Sequence, residues 1–244
     1  MIEINHLPPI EIIMRYSFLL YFFLLFIPCH ALPEYIIIVR HGDGFYVSEK
    51  GEELGPSLSK EGMIRSSVLL KYYVEILNEE KGIPIPDYIF ACNPYYAKAE
   101  NKMAQSVRHI QTVSPLVTWI YEHDTNTKDD LLQIPYRKDE YIKMSQFITN
   151  QQYLQDKTVL ICWSHEVVNK IIQNVKDQSG YSTESNWSDD AIWEGNDFES
   201  IIIIKCDNKA KKMTVEKVEG ALKIPETREG KQELGRWFFS QFIQ

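Results

Sequence analysis

Two histidines in this chain each follow an apolar run that stops abruptly. The first run, Tyr35–Val39, ends in Arg40-His41-Gly42; the second, "KTVLICW" over 157–163, is followed by Ser164 and His165. Continuous apolar runs of this length suit central strands covered on both faces, and parallel α/β sheets bind ligands at the carboxyl ends of their strands. A neutral imidazole can attack phosphorus. The charge on the transferred phosphoryl oxygens then needs cationic donors fixed in advance. Arginine's planar fork fits those oxygens, so Arg40 and Arg108 are candidate donors beside His41 and His165. An Arg-His-Gly triplet alone is a weak signal, and a lone histidine after a strand is commonly a satisfied surface or core residue. Of the six histidines, His6 and His30 lie near the N-terminus, and His109 and His123 lie on and just after a predicted helix. His41 and His165 stand apart because both close a strand.

The elements that must position them follow from the apolar pattern. Ser59, in Leu58-Ser59-Lys60-Glu61-Gly62, is a good N-cap for a long helix whose Leu69, Tyr73, Ile76 and Leu77 recur at helical spacing. Pro84 and Pro86 end it, and "DYIFAC" (87–92) is a second strand. Residues 106–123 read as helical, with Pro115 either kinking the helix or restarting it at its first turn. An amphipathic segment over 136–151 precedes the third strand, 157–163, and its helix, 165–175. Strands over 198–206 and 213–220, joined by a turn at Asn208, and a closing helix over 231–243 complete the pattern. Strands alternating with helices argue an α/β protein with a mostly parallel central sheet. The tryptophans Trp163, Trp187 and Trp193 read as core and rim packing, and the charged stretch from Asp207 as a solvated hairpin.

At 244 residues and 44% apolar, the chain can build one full core. A net charge of −8 argues against a general nucleic-acid surface, so any positive charge that binds phosphate must be local. Near the N-terminus, Arg15 precedes an apolar run from Tyr16 to Pro28, and Cys29-His30-Ala31 follows with small residues at −3 and −1. That is the grammar of a cleaved signal peptide, and the run is short for a membrane span. Residues 1–13 fit such a leader poorly, which suggests translation from Met14. The expectation is a leader over 1–31, one domain over 32–244, a secreted or periplasmic location, and no stable membrane span after cleavage. Cys92, Cys162 and Cys206 then remain, an odd number that makes no disulfide framework and reads best as buried thiols.

Four blocks, taken together and in order, resemble the histidine phosphatase superfamily, with its phosphoglycerate mutase-like fold. They are the strand into Arg40-His41-Gly42; Leu58-Ser59-Lys60-Glu61-Gly62; Arg108-His109-Ile110-Gln111-Thr112; and "TVLICWSHEVV" running into His165. The resemblance spans residues 35 to about 206. It implies a three-layer α/β/α sandwich and a phosphate monoester substrate, small-molecule or protein. It implies that His41 is the phosphorylated nucleophile, that Arg40 and Arg108 clamp the phosphoryl oxygens, and that His165 completes the pocket, with no metal or other cofactor. Glu166, directly after His165, would be the general acid, with Asp129 and Asp130 as alternatives; the bland reading of Glu166 is a first-turn acid favoured by the helix dipole. The chain also departs from the pattern. Asp43, Gly44, Phe45 and Tyr46 follow the triplet, where many small members carry an asparagine and the acid phosphatase and phytase branch an arginine. The stretch between Pro94 and Ser106 is longer than in compact members and reads as a solvated loop or a lid, which would carry Lys98 and Lys102.

The reading is therefore an exported phosphomonoesterase acting through a phosphohistidine. The alternatives are a catalytically silent phosphate- or phosphoprotein-binding module on the same fold, and an exported interaction protein that only inherited it. N-terminal sequencing is expected to find the unprocessed chain starting at Met14 and the exported chain at Leu32. An exported chain that keeps Met14–Ala31 would make that segment an anchor.

Overall fold

The computed structural model describes residues 32–46, 53–97, 103–124 and 130–243. The expected leader over 1–31 with Met14, and Lys98, Lys102 and Asp129, lie outside them. The first half runs β1 (Tyr35–Arg40), β2 (Gly44–Tyr46), β3 (Glu53–Leu58), α1 (Lys60–Lys71), β4 (Tyr88–Ala91), β5 (Tyr95–Ala97), β6 (Met103–Gln105) and α2 (Arg108–His123). The second half runs β7 (Leu132–Gln133), α3 (Tyr141–Asn150), β8 (Thr158–Trp163), α4 (His165–Ser179), β9 (Ser182–Ser185), β10 (Ile201–Asp207), β11 (Lys212–Val218) and α5 (Arg228–Ser240).

Seven strands form the main sheet, in the order β7-β4-β8-β1-β10-β11-β9. β1 lies parallel to β8, β8 to β4, β4 to β7 and β11 to β9, while β10 runs antiparallel to β1 and β11. The sheet is mostly parallel, as expected. The two antiparallel pairings belong to the late strands, where a short hairpin replaces a helical crossover. Phe198–Ser200, expected at the start of a strand, lie in the loop before β10.

The central strands are apolar throughout because alternate residues serve two cores. Ile36 and Ile38, Val159, Ile161 and Trp163 pack with Met144, Ile148, Val168 and Ile172 of α3 and α4. Ile37 and Val39, Leu160 and Cys162 pack with Leu69, Leu70, Val113, Leu116 and Leu234 of α1, α2 and α5. Helices therefore cover both faces, giving the three-layer α/β/α sandwich. Trp163, Trp187 and Trp193 are all buried, as packing residues should be. Among the described residues no helix is long and apolar enough to cross a membrane.

Local signals mostly act as their chemistry dictates. The Ser59 side chain caps α1 by accepting from the Gly62 N–H at 3.0 Å. Past Lys71 the same helix continues as a wider π-helical stretch over Tyr72–Glu80. Pro115 sits inside the unbroken α2, so the proline neither ends nor restarts it. The stretch after Pro94 is not plain loop: β5 and β6 pair there as an antiparallel hairpin.

Gly42 and Gly62 serve close approach. An added β-carbon on Gly62 would lie 2.2 Å from the Asp43 carbonyl oxygen, and one on Gly42 would lie 3.1 Å from the Gly62 carbonyl oxygen. The start of α1 thus presses directly on the loop that leaves β1, and the Ser59 N–H donates to the Asp43 carbonyl at 2.9 Å. Gly62→Ala is expected to cost about 1–3 kcal/mol by overpacking, read from urea unfolding. An unchanged midpoint would show that the contact relaxes without strain.

Candidate active site

The register of the sheet brings the two strand-end histidines together. β1 and β8 are parallel neighbours with Arg40 opposite Trp163, and the His41 N–H donates to the Trp163 carbonyl at 3.3 Å. Parallel strands lie about 4.8 Å apart, so His41 and the Ser164-His165 pair leave the sheet side by side. His165 is the first residue of α4, and Arg108 is the first residue of α2. Both helices therefore direct their N-terminal ends toward this end of the sheet, which favours an anion there.

The Gln111-Thr112 pair locks α2 to the loops. Thr112 Oγ1 accepts from the Gly42 N–H at 2.8 Å and donates to the Arg108 carbonyl at 2.7 Å. Gln111 Oε1 accepts from the Leu58 N–H at 2.8 Å. Asp43 is tied down from the other side by Arg65, whose Nε lies 2.7 Å from its carboxylate while Nη1 donates to the Leu222 carbonyl at 2.7 Å. This buried arginine and its partner carry no local sequence signal, and the expected roles of the segment after the triplet did not include them.

His41 is 6% exposed, and its Nδ1 lies 2.8 Å from the Gly42 carbonyl oxygen. A carbonyl only accepts, so Nδ1 carries the proton and the lone pair resides on Nε2. Burial, opposed by that hydrogen bond and reinforced by the charges of Arg108, Arg40 and His165, lowers the His41 pKa from 6.5 to about 3. The ring is neutral at ordinary pH and has the tautomer a nucleophile needs.

Arg40 is held by the loop before β10. Its Nη1 donates to the carbonyls of Gly195 at 2.6 Å and of Glu194 and Asp197 at 3.3 Å, and its guanidinium stacks 3.6 Å from the centre of the Phe198 ring. Asp197 knots that loop: its carboxylate accepts from Ser200 Oγ and from the backbone N–H groups of Glu199 and Ser200, and pairs with Lys217 at 3.0 Å. Arg108 Nε donates to Ser106 Oγ at 3.1 Å. His165 lies beside the same loop, since a β-carbon on Gly195 would come 3.6 Å from its Nε2. Its pKa is lowered, chiefly by burial and then by Arg40. The four expected residues thus share one end of the sheet.

The carboxylates stand differently. Glu166 is half-exposed and paired with Lys138, and that hydrogen bond is the main reason its pKa is lowered. It is therefore ionised, opposite to what a resident proton donor requires. Asp130 is exposed on its turn. No cluster of three or more metal-binding side chains occurs among the described residues, and Cys92, Cys162 and Cys206 are buried free thiols. Chemically, the arrangement offers one neutral nucleophile facing guanidinium and imidazole donors.

His41 also links pH to stability. Its folded pKa lies below the unfolded value, so below pH 6.5 the unfolded chain binds a proton that the fold refuses. Stability falls with pH until about 3. Going from pH 7 to pH 5, His41→Gln is expected to lose about 2 kcal/mol less than the parent, by urea melts at both values. Equal losses would mean that His41 ionises freely in the fold.

No family model and no curated protein matches the chain. Among solved structures, it is similar to one described as the putative phosphohistidine phosphatase SixA from Agrobacterium tumefaciens, at 11% identity and a TM-score of 0.42, over 78% of this chain and 97% of that one. A likeness of that degree adds nothing to the site geometry.

Proposed function

We propose that the protein is an exported phosphatase that hydrolyses a phosphate monoester through a phosphohistidine at His41. One observation carries the reading: a buried, neutral imidazole, with its proton fixed on Nδ1 by the Gly42 carbonyl, surrounded by Arg108, Arg40 and His165. The order of the sequence blocks, which resembles the histidine phosphatase superfamily, agrees with it.

In the first step the Nε2 lone pair of His41 forms a bond to phosphorus while the bond from phosphorus to the ester oxygen breaks. Arg40, Arg108 and His165 hold the phosphoryl oxygens as their charge redistributes. The departing oxygen takes a proton from a general acid. In the second step water attacks phosphorus, the N–P bond breaks, and the water proton returns to the group that acted as acid. His41 regains its lone pair and inorganic phosphate leaves.

Glu166 is our candidate for that acid. Its pairing with Lys138 keeps it ionised. A phosphate dianion competing for Lys138 would weaken that pairing and raise the carboxyl toward protonation. Asp130 is the described alternative, and Asp129 lies outside the described residues. The ionised Glu166 is also the observation that favours a second reading, a phosphate- or phosphoprotein-binding module without turnover.

Residues 32–244 with an aryl phosphate and chelator, from acid to neutral pH, provide the test. Turnover is expected to survive the chelator, to vanish in His41→Ala and to drop about 10²–10⁴-fold in Glu166→Gln. A broad panel of phosphate esters left unhydrolysed would move the binding module to first place.

A further inference from the structure

We propose that His109 is a further phosphate ligand of this site, its ring N–H donating to an oxygen of the phosphoryl group bound beside His41. The inference rests on the reading above for the identity of the anion. His109 is 4% exposed, and neither ring nitrogen meets a hydrogen-bond partner among the described residues. Its ring stands edge-on to His41, with centroids 4.7 Å apart and planes at 76°. It is the second residue of α2, directly after Arg108, at the helix end that favours anions.

A packing role alone does not account for this side chain. An apolar residue of similar size would fill the same space without burying a donor and an acceptor. A buried polar group with no protein partner calls for another partner, and the surroundings indicate its charge. The groups that act electrostatically on the ring are His41, Arg108, Lys138 and Arg40, all cationic or capable of becoming so, with no carboxylate among them. Burial, then those charges, keeps His109 neutral. It can therefore add a hydrogen bond to the phosphoryl group without adding another positive charge to a site already rich in them.

The test is inorganic phosphate binding by calorimetry on residues 32–244, with His109→Phe, which keeps a ring against His41, and His109→Gln, which keeps a donor. His109→Phe is expected to weaken phosphate binding about tenfold or more, and His109→Gln less. In the unaltered protein, nitrogen NMR is expected to show the His109 ring resonances moving as phosphate saturates, a readout that holds even if a variant misfolds. Phosphate affinity within about twofold of the parent in a folded His109→Phe, or ring resonances that do not move, would overturn the assignment. If such a variant matches the parent while His41→Ala abolishes turnover, only the inference falls. If phosphate binds through His109 but no ester is hydrolysed, the phosphatase reading falls and the ligand stands. A parent protein that binds no phosphate ends both.

Discussion

The peptide units at Gly42 and Asp43 are the constraint on which the site depends. Four residues hold these two. The Gly42 N–H is held by Thr112 of α2, its carbonyl by His41, the Asp43 carbonyl by the N–H of Ser59 before α1, and the Asp43 carboxylate by Arg65. Only glycine at position 62 lets α1 come so near. The tautomer of His41 depends on where the Gly42 carbonyl points, so the chemistry of a side chain is set by the packing of a helix terminus against a backbone turn.

From that turn outward the layers fall into place. β1 and β8 are buried on both faces, which makes them rigid, and their parallel register sets two histidines side by side. The helices start where the strands stop, so their N-terminal N–H groups and the guanidinium groups converge on one end of the sheet. The loop before β10 closes the remaining side, with Arg40 held on three carbonyls and on Phe198. Arg40 is preorganised by backbone acceptors and an aromatic face, and Asp43 by a buried ion pair with Arg65, whereas the pair of Lys138 with Glu166 is half-exposed and open to exchange.

What the sequence made legible was whatever has a local signature. The strand runs, the Ser59 cap and the two strand-end histidines can be read from a few neighbouring residues. Gly62 could be read as part of a block, but not for its reason, because the carbonyl it must clear belongs to a residue nineteen positions earlier in the chain. The supports of Arg40 lie more than 150 residues away, and the Asp43–Arg65 pair joins a loop to the middle of a helix. Contacts at such separations leave no periodicity or spacing. His109 was hidden for another reason: on a helical pattern it reads as one more residue of a face, and only its neighbours give it meaning. Lys138 stood in an amphipathic stretch that gave no hint of the carboxylate it meets.

The three thiols have a consequence of a different kind. Burial raises Cys92 and Cys206 to about 12, and raises Cys162 well above the ordinary thiol value. At neutral pH only about one molecule in a hundred thousand carries a thiolate at either of the first two. At these three positions the folded protein is then almost deaf to alkylating reagents and oxidants, whereas unfolding offers all three of these sulfurs at once. Covalent labelling of Cys92, Cys162 and Cys206 counts openings of the fold around them, and so these cysteines record how long a molecule has stayed folded.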